Sequence, residues 1–158
     1  MKDLCINIDD GILNIRVGAI IMKDGRLLLV SNEEHDYYYS VGGRIKFGET
    51  AEQAVKREVL EETGTDLEID RLGFIHENFF VGDISTNMGK KIYEISFYFY
   101  MKVPENFEPV CKSFTEDDAK EYLEWVELDT EKIYYPEFLK TELKNITNDV
   151  KHFVTKDY

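Results

Sequence analysis

The sequence predicts an α/β fold in which helices pack on a mixed β-sheet. Three observations lead there. Runs rich in Ile, Val, Leu, Phe and Tyr fall both before and after one strongly marked helix. The element order reads β-β-β-α-β-β-β-α, without the strict alternation of a doubly wound parallel sheet. No linker or internal repeat divides the chain, and Pro104, Pro109 and Pro136 all fall late. Residues 1–158 are therefore expected to form a single domain, within the usual size of about 100–200 residues.

Each element has its own local reason. Residues 13–22 are aliphatic and β-branched, and Asp24-Gly25 turns them tightly into 26–31, giving a hairpin. Residues 37–41 are aromatic and β-branched and stop at Gly42-Gly43. Ala51–Thr63 is the best-marked helix: Thr50 serves as N-cap, Gln53 completes a capping box, and Gly64 supplies a left-handed terminus. Residues 67–81 hold one or two strands. In the strand at 91–103, Tyr93, Phe97 and Phe99 share one face, with Tyr98 and Tyr100 on the other. A long loop at 104–118 leads to a short strand at 121–128. A helix at 136–146 presents Phe138, Leu139 and Leu143 together, and the last dozen residues extend or fray from it.

Composition narrows the function. Against 19 Lys+Arg stand 32 Asp+Glu, a net charge of -13. With 43% hydrophobic and 13% aromatic residues the chain is too apolar for a disordered acidic tail. Its charge opposes long nucleic acid, whose binding relies on Lys and Arg displacing counterions, and equally opposes anionic membrane surfaces. No stretch approaches the ~20 apolar residues of a membrane span. The N-terminus carries Asp3, Asp9 and Asp10 with no apolar run, unlike a secretory signal. Cys5 and Cys111 lie far apart and outside any zinc-type cluster, which fits reduced thiols and a cytoplasmic protein. His35, His76 and His152 are expected at the surface. A small phosphate-rich substrate would be repelled unless a metal ion stood between it and the protein.

The segment with chemical content runs from Gly43 to Thr65, GRIKFGETAEQAVKREVLEETGT. At about 100° per residue, Glu58, Glu61 and Glu62 fall within an arc of roughly 100° on the helix. They repel one another and sit in the last turn, where the helix dipole disfavours negative charge. Such a face either meets solvent or expects a cation. An oxygen-only donor set points to Mg²⁺ or Mn²⁺ rather than zinc. Arg57 can orient a carboxylate, and Gly42-Gly43 allows the backbone to approach closely.

This segment resembles the Nudix box, Gly-x5-Glu-x7-Arg-Glu-U-x-Glu-Glu-x-Gly-U, with U a bulky aliphatic. Gly43, Glu49, Arg57, Glu58, Glu61, Glu62 and Gly64 all match at the right spacing, and Val59 fills the first U. Thr65 departs from the second U, and Val41 stands where a proline often precedes the glycine pair. The box, residues 43–65, covers about a seventh of the chain. A strand at 15–22 before it and Glu124-Trp125-Val126 after it also look like the family.

The resemblance implies an α/β/α sandwich, a mixed sheet between helices with the box as a loop-helix-loop. It implies hydrolysis of a nucleoside diphosphate linked to another group X, with Mg²⁺ required and Mn²⁺ as the alternative. Carried over by position, Glu58, Glu61 and Glu62 are metal ligands, with the Gly42 or Gly43 carbonyl as a further one. Arg57 would orient Glu58, and Glu49 would support the loop. The general base would be Glu58, or a carboxylate among Glu116, Asp117, Asp118 and Glu121. Tyr37, Tyr38, Tyr39, Arg44, Phe79 and Phe80 are candidate substrate contacts, with Tyr39, Arg44 and Phe80 foremost. A small nucleotide-type substrate is expected, no long nucleic acid and no membrane. ADP-ribose, NADH, diadenosine polyphosphates, nucleotide sugars and oxidised nucleoside triphosphates stay open, as does a homodimer. The competing reading is a non-catalytic domain that senses a nucleotide, although such domains usually carry a broken box.

Overall fold

The computed structural model describes residues 1–84, 86–110 and 118–158. In chain order the strands are β1 (Cys5–Ile8), β2 (Gly11–Ile20), β3 (Met22–Lys23), β4 (Arg26–Asn32) and β5 (Tyr38–Arg44). Helix α1 (Ala51–Thr63) follows, then β6 (Ile69–Val81), β7 (Lys91–Met101), β8 (Glu121–Glu127), β9 (Tyr134–Tyr135), α2 (Leu139–Glu142) and β10 (Lys151–Lys156). The strand order is β10-β6-β7-β2-β5-β4-β3, with β1 on β2, β8 on β4 and β9 on β5. Pairs β2–β7, β6–β10 and β5–β9 are parallel, and the hairpin neighbours are antiparallel, so the sheet is mixed.

The period-2 alternation of the strands divides their apolar side chains between two cores. Val17, Ala19, Leu28, Val30, Val41 and Phe99 pack with Ala54, Val55 and Val59 of α1. Ile20, Leu27, Leu29, Phe74, Tyr98 and Tyr100 face the other way, onto Leu139 of α2 and Leu143 just after it. The sheet therefore lies between two helical elements, the α/β/α arrangement expected. Each such side chain fully withdrawn from water contributes roughly 1.5–3 kcal/mol, so both faces hold the sheet.

Helix α1 begins and ends as its sequence requires. The Gln53 N–H donates to Thr50 Oγ1 (3.1 Å) while the Thr50 N–H donates to Gln53 Oε1 (2.9 Å). Gly64 closes the helix at φ 74°, its N–H donating to the Leu60 carbonyl. No basic residue occupies the last turn, which leaves the acidic end without compensation from its own helix.

Of the one or two strands expected over residues 67–81, one forms, Ile69–Val81, and its register with β7 shifts at two places flanking Leu72. Beside it Gly73 is needed, because a Cβ there would stand 2.4 Å from the Tyr100 ring. The second helix keeps only four residues, starting at Phe138 without a side-chain cap. Its apolar residues are nonetheless the ones expected: Leu139 and Leu143 are buried. The last dozen residues include a strand, β10, paired parallel to β6. Its Phe153 stacks on Phe138 with centroids 4.4 Å apart, and Phe74 stands 5.1 Å from Phe138. Finally, β1 and β9 are short strands that gain their definition only from β2 and β5.

Candidate active site

Arg57 organises the box. Its Nε donates to Glu49 Oε1 (2.6 Å) and its Nη2 to Glu49 Oε2 (2.9 Å), a two-pronged pair. Nη2 also donates to the Arg44 carbonyl (3.0 Å), and Nη1 to Glu58 (2.7 Å) and Glu61 (3.4 Å). The Lys46 N–H donates to Glu49 (2.8 Å), tying the loop to the same carboxylate. Hydrogen bonds from Arg57, opposed by burial and aided by the Lys46 N–H, hold the Glu49 pKa down at about 2. Glu49 thus braces the loop beneath the helix, and the charge of Arg57 is held firmly by its partners.

The three helix carboxylates differ in setting. Glu61 is half-exposed. Glu58 is mostly covered and lies so close to Gly43 that a Cβ there would stand 2.4 Å from its oxygen. Burial raises the Glu58 pKa, and Arg57 opposes the rise. Glu62 is buried, with one oxygen that has no hydrogen-bond partner. Burial drives its pKa well up, with the charges of Glu121 and Glu58 adding to the effect. The Gly42 N–H donates to Glu62, so this glycine engages the acidic group through its amide. A Cβ at Gly42 would lie 2.1 Å from the Val17 carbonyl oxygen, so only glycine fits that backbone.

Among the described residues, no three carboxylate, imidazole or thiol side chains are already gathered around one point. Arg57 draws Glu58 and Glu61 to itself instead. The donor chemistry nevertheless fits a hard divalent cation: oxygen atoms only, one of them buried and orphaned, and acids whose mutual repulsion a cation would reverse.

Of the second set of acids, Glu121 joins this group from the start of β8. It is buried, accepts the Tyr39 hydroxyl, and its charge reaches Glu62. Tyr39 also accepts from Asn32 Nδ2 (3.1 Å). Asp118 is exposed, with φ 62°. Glu116 and Asp117 lie outside the described residues.

Beside the acids opens a cleft of about 790 Å³ on the sheet face opposite α1. Gly42 lies where the two meet. Tyr39 and Phe80 line the cleft. Arg44 does not: its guanidinium reaches Asp3 (3.8 Å), and it serves the site through the carbonyl that holds Arg57. Tyr37 and Tyr135 form a near-perpendicular pair, centroids 5.2 Å apart, on one wall, and Phe138 stands on another. Phe79 lies outside, stacked on Tyr93.

The family model for the NUDIX domain matches residues 13–147. The chain belongs to the Nudix family. It is 38% identical over 61 residues to a MutT-like protein of Streptomyces ambofaciens, covering 39% of this chain and 40% of that protein. It is 40% identical over 53 residues to an ADP-ribose pyrophosphatase of Methanocaldococcus jannaschii, covering 32% and 31%. The matched part thus spans well under half of either relative. A MutT NUDIX hydrolase structure from Burkholderia pseudomallei shares the fold, with TM-score 0.61 at 24% identity over 85% of this chain and 98% of that one.

The Nudix box leaves much of the cleft unexplained. Arg16, Glu94, His76, Asn78 and Tyr98 line it, and no sequence motif announced them. Their signal was present but faint. Asn14 and Arg16 interrupt an otherwise apolar strand at alternate positions, and Glu94, Ser96 and Tyr98 repeat that spacing on the neighbouring β7. His76 corrects a surface expectation. It is buried, contacts Thr155 Oγ1 at 2.9 Å, and burial together with the charge of His152 lowers its pKa to about 4. No helix of the described residues is long and apolar enough to cross a membrane.

Proposed function

We propose that this protein hydrolyses the pyrophosphate bond of a nucleoside diphosphate linked to another group X, with Mg²⁺ or Mn²⁺. One observation carries the reading. Glu62 is buried with an orphaned oxygen and sits among Glu58 and Glu121, an arrangement that a bound cation relieves. Glu58, Glu61 and Glu62 would hold the metal, which would supply charge neutralisation and an activated water. Arg57 keeps Glu58 turned into the group, and Glu49 fixes Arg57. A carboxylate takes the proton from the attacking water, with Glu58 and Glu121 as the two candidates within this group. The aromatic cleft takes the nucleoside or group X. One relative is named an ADP-ribose pyrophosphatase, which places ADP-ribose first in a substrate panel.

The test is a panel of ADP-ribose, NADH, diadenosine polyphosphates, nucleotide sugars and oxidised nucleoside triphosphates with Mg²⁺ or Mn²⁺, products identified by mass spectrometry. A nucleoside monophosphate plus phosphorylated X, formed only with metal, is expected. Tight metal-dependent binding without turnover of any member would instead support a nucleotide sensor.

A further inference from the structure

Arg16 stands apart from every other charge around the cleft. It rises from β2 onto the cleft floor with its side chain 35% exposed. A guanidinium carries five N–H donors. Those of Arg57 are used at 2.6–3.4 Å. Among the described residues Arg16 pairs only with Glu94, whose nearest oxygen is 3.9 Å away, beyond hydrogen-bond length. Its donor fork is open. Among the described residues lining the cleft it is also the only lysine or arginine, whereas Asp83, Glu94, Glu137 and Asp157 all line the same cleft. Burial works against the Arg16 charge, but Glu94 and, further off, Glu58 and Glu62 help to sustain it. Arg16 therefore stands between the acids of the box and the cleft, with donors to spare on the only strongly basic group there.

We propose that Arg16 is a substrate-binding and specificity-determining residue. Its open fork takes a phosphate of the diphosphate bridge, and the carboxylates lining the cleft confine the group lodged there to one without a further phosphate. The substrate class is thus a nucleoside diphosphate derivative whose cleft-bound part is hydroxylated and aromatic or sugar-like, resting against Tyr37, Tyr135 and Phe80. This rests on the hydrolase reading above and narrows it.

The experiment compares wild type, Arg16→Gln and Arg16→Lys with ADP-ribose and Mg²⁺, and follows Mn²⁺ affinity by electron paramagnetic resonance in the same proteins. Arg16→Gln is expected to lower kcat/KM at least a hundredfold, while Mn²⁺ binds as well as in wild type or better, because a cation near Glu58 and Glu62 is gone. Arg16→Lys restores part of the rate, since it keeps the charge and loses the fork. ADP-ribose carrying an extra phosphate on one ribose or the other forms the second arm, and at least one of the two derivatives should be cleaved tenfold less well, a penalty that Glu94→Gln reduces. A kcat/KM for Arg16→Gln within threefold of wild type overturns the clamp. So does joint loss of activity and Mn²⁺ affinity, which marks Arg16 as support for the acidic group. Equal cleavage of ADP-ribose and both phosphorylated derivatives overturns the charge selection. If wild type cleaves no member of the substrate panel with metal, the hydrolase reading fails separately, and Arg16 is judged on ADP-ribose binding, which Arg16→Gln must then weaken tenfold.

Discussion

The box and the cleft meet at Gly42 but are built on opposite principles. In the box, Arg57 is saturated: four residues fix it through five hydrogen bonds, and Glu49 is held by Arg57 and by the backbone. In the cleft, Arg16 is open, and much of the wall is rings that contact one another stacked or edge-on. The contrast teaches where rigidity serves the chemistry. Acids that gather round a cation must be aimed beforehand, since reorganising them costs rate. A surface that admits one of several organic groups needs shape and a few unspent donors.

The largest expected effect comes from Glu62→Gln. Turnover should fall roughly a thousandfold, about 4 kcal/mol in kcat/KM, because the buried oxygen can no longer carry charge. The metal-free variant should also be more stable than wild type in urea, by ~1 kcal/mol, as the unpaired buried acid is gone. That gain should grow with rising pH, since burial favours the protonated Glu62 and ionising it opposes folding.

Arg57→Ala comes next. It strands Glu49 and Glu58 together and should cost about 3 kcal/mol in urea denaturation, with turnover lost as well. Arg57→Lys should recover little, since an ammonium cannot make the two-pronged pair. Phe138→Ala should cost about 2 kcal/mol through lost contacts with Phe153 and Phe74, raising KM more than it lowers kcat. A larger fall in kcat than rise in KM would mean that the cleft wall serves the acids directly.

Acid should separate the two regions. His76 resists protonation when folded, so below its ordinary pKa near 6.5 the unfolded chain binds a proton that the native chain does not. Stability should decline between pH 6.5 and about 4, and the decline should be smaller in His76→Gln, by ~2 kcal/mol at most. Glu49 runs lower. Its folded pKa of about 2 gives stability that is complete above 4.5 and lost only as pH falls from there toward 2. Urea denaturation across this range should show the cleft contribution failing first.

The same division decided what could be read in advance. The box is local: Glu58, Glu61 and Glu62 share a face because of helix geometry, and Thr50, Gln53 and Gly64 mark its ends. The two faces of β7 followed from alternation, and Phe99 and Tyr98 lie in opposite cores as expected. Contacts between distant segments were not legible. Arg16 and Glu94 are 78 positions apart and are joined only by the parallel pairing of β2 and β7. Strand β10 depends on β6, more than 70 residues earlier, and its sequence alone reads equally as a frayed end. Arg44, named for its place beside the first box glycine, adjoins Arg16 across the β2–β5 pair, yet its guanidinium reaches Asp3 while Arg16 lines the cleft, a division set by tertiary placement.

The most direct test of the acidic group as a metal site is the thermal midpoint of the wild-type protein and Glu62→Gln with and without saturating Mn²⁺. A cation bound by the folded state alone must raise the midpoint, by a few degrees at a hundredfold excess over Kd. That rise is expected in wild type, and its loss in Glu62→Gln, which starts from the higher metal-free midpoint. An equal rise in both proteins, or none in wild type, would contradict it.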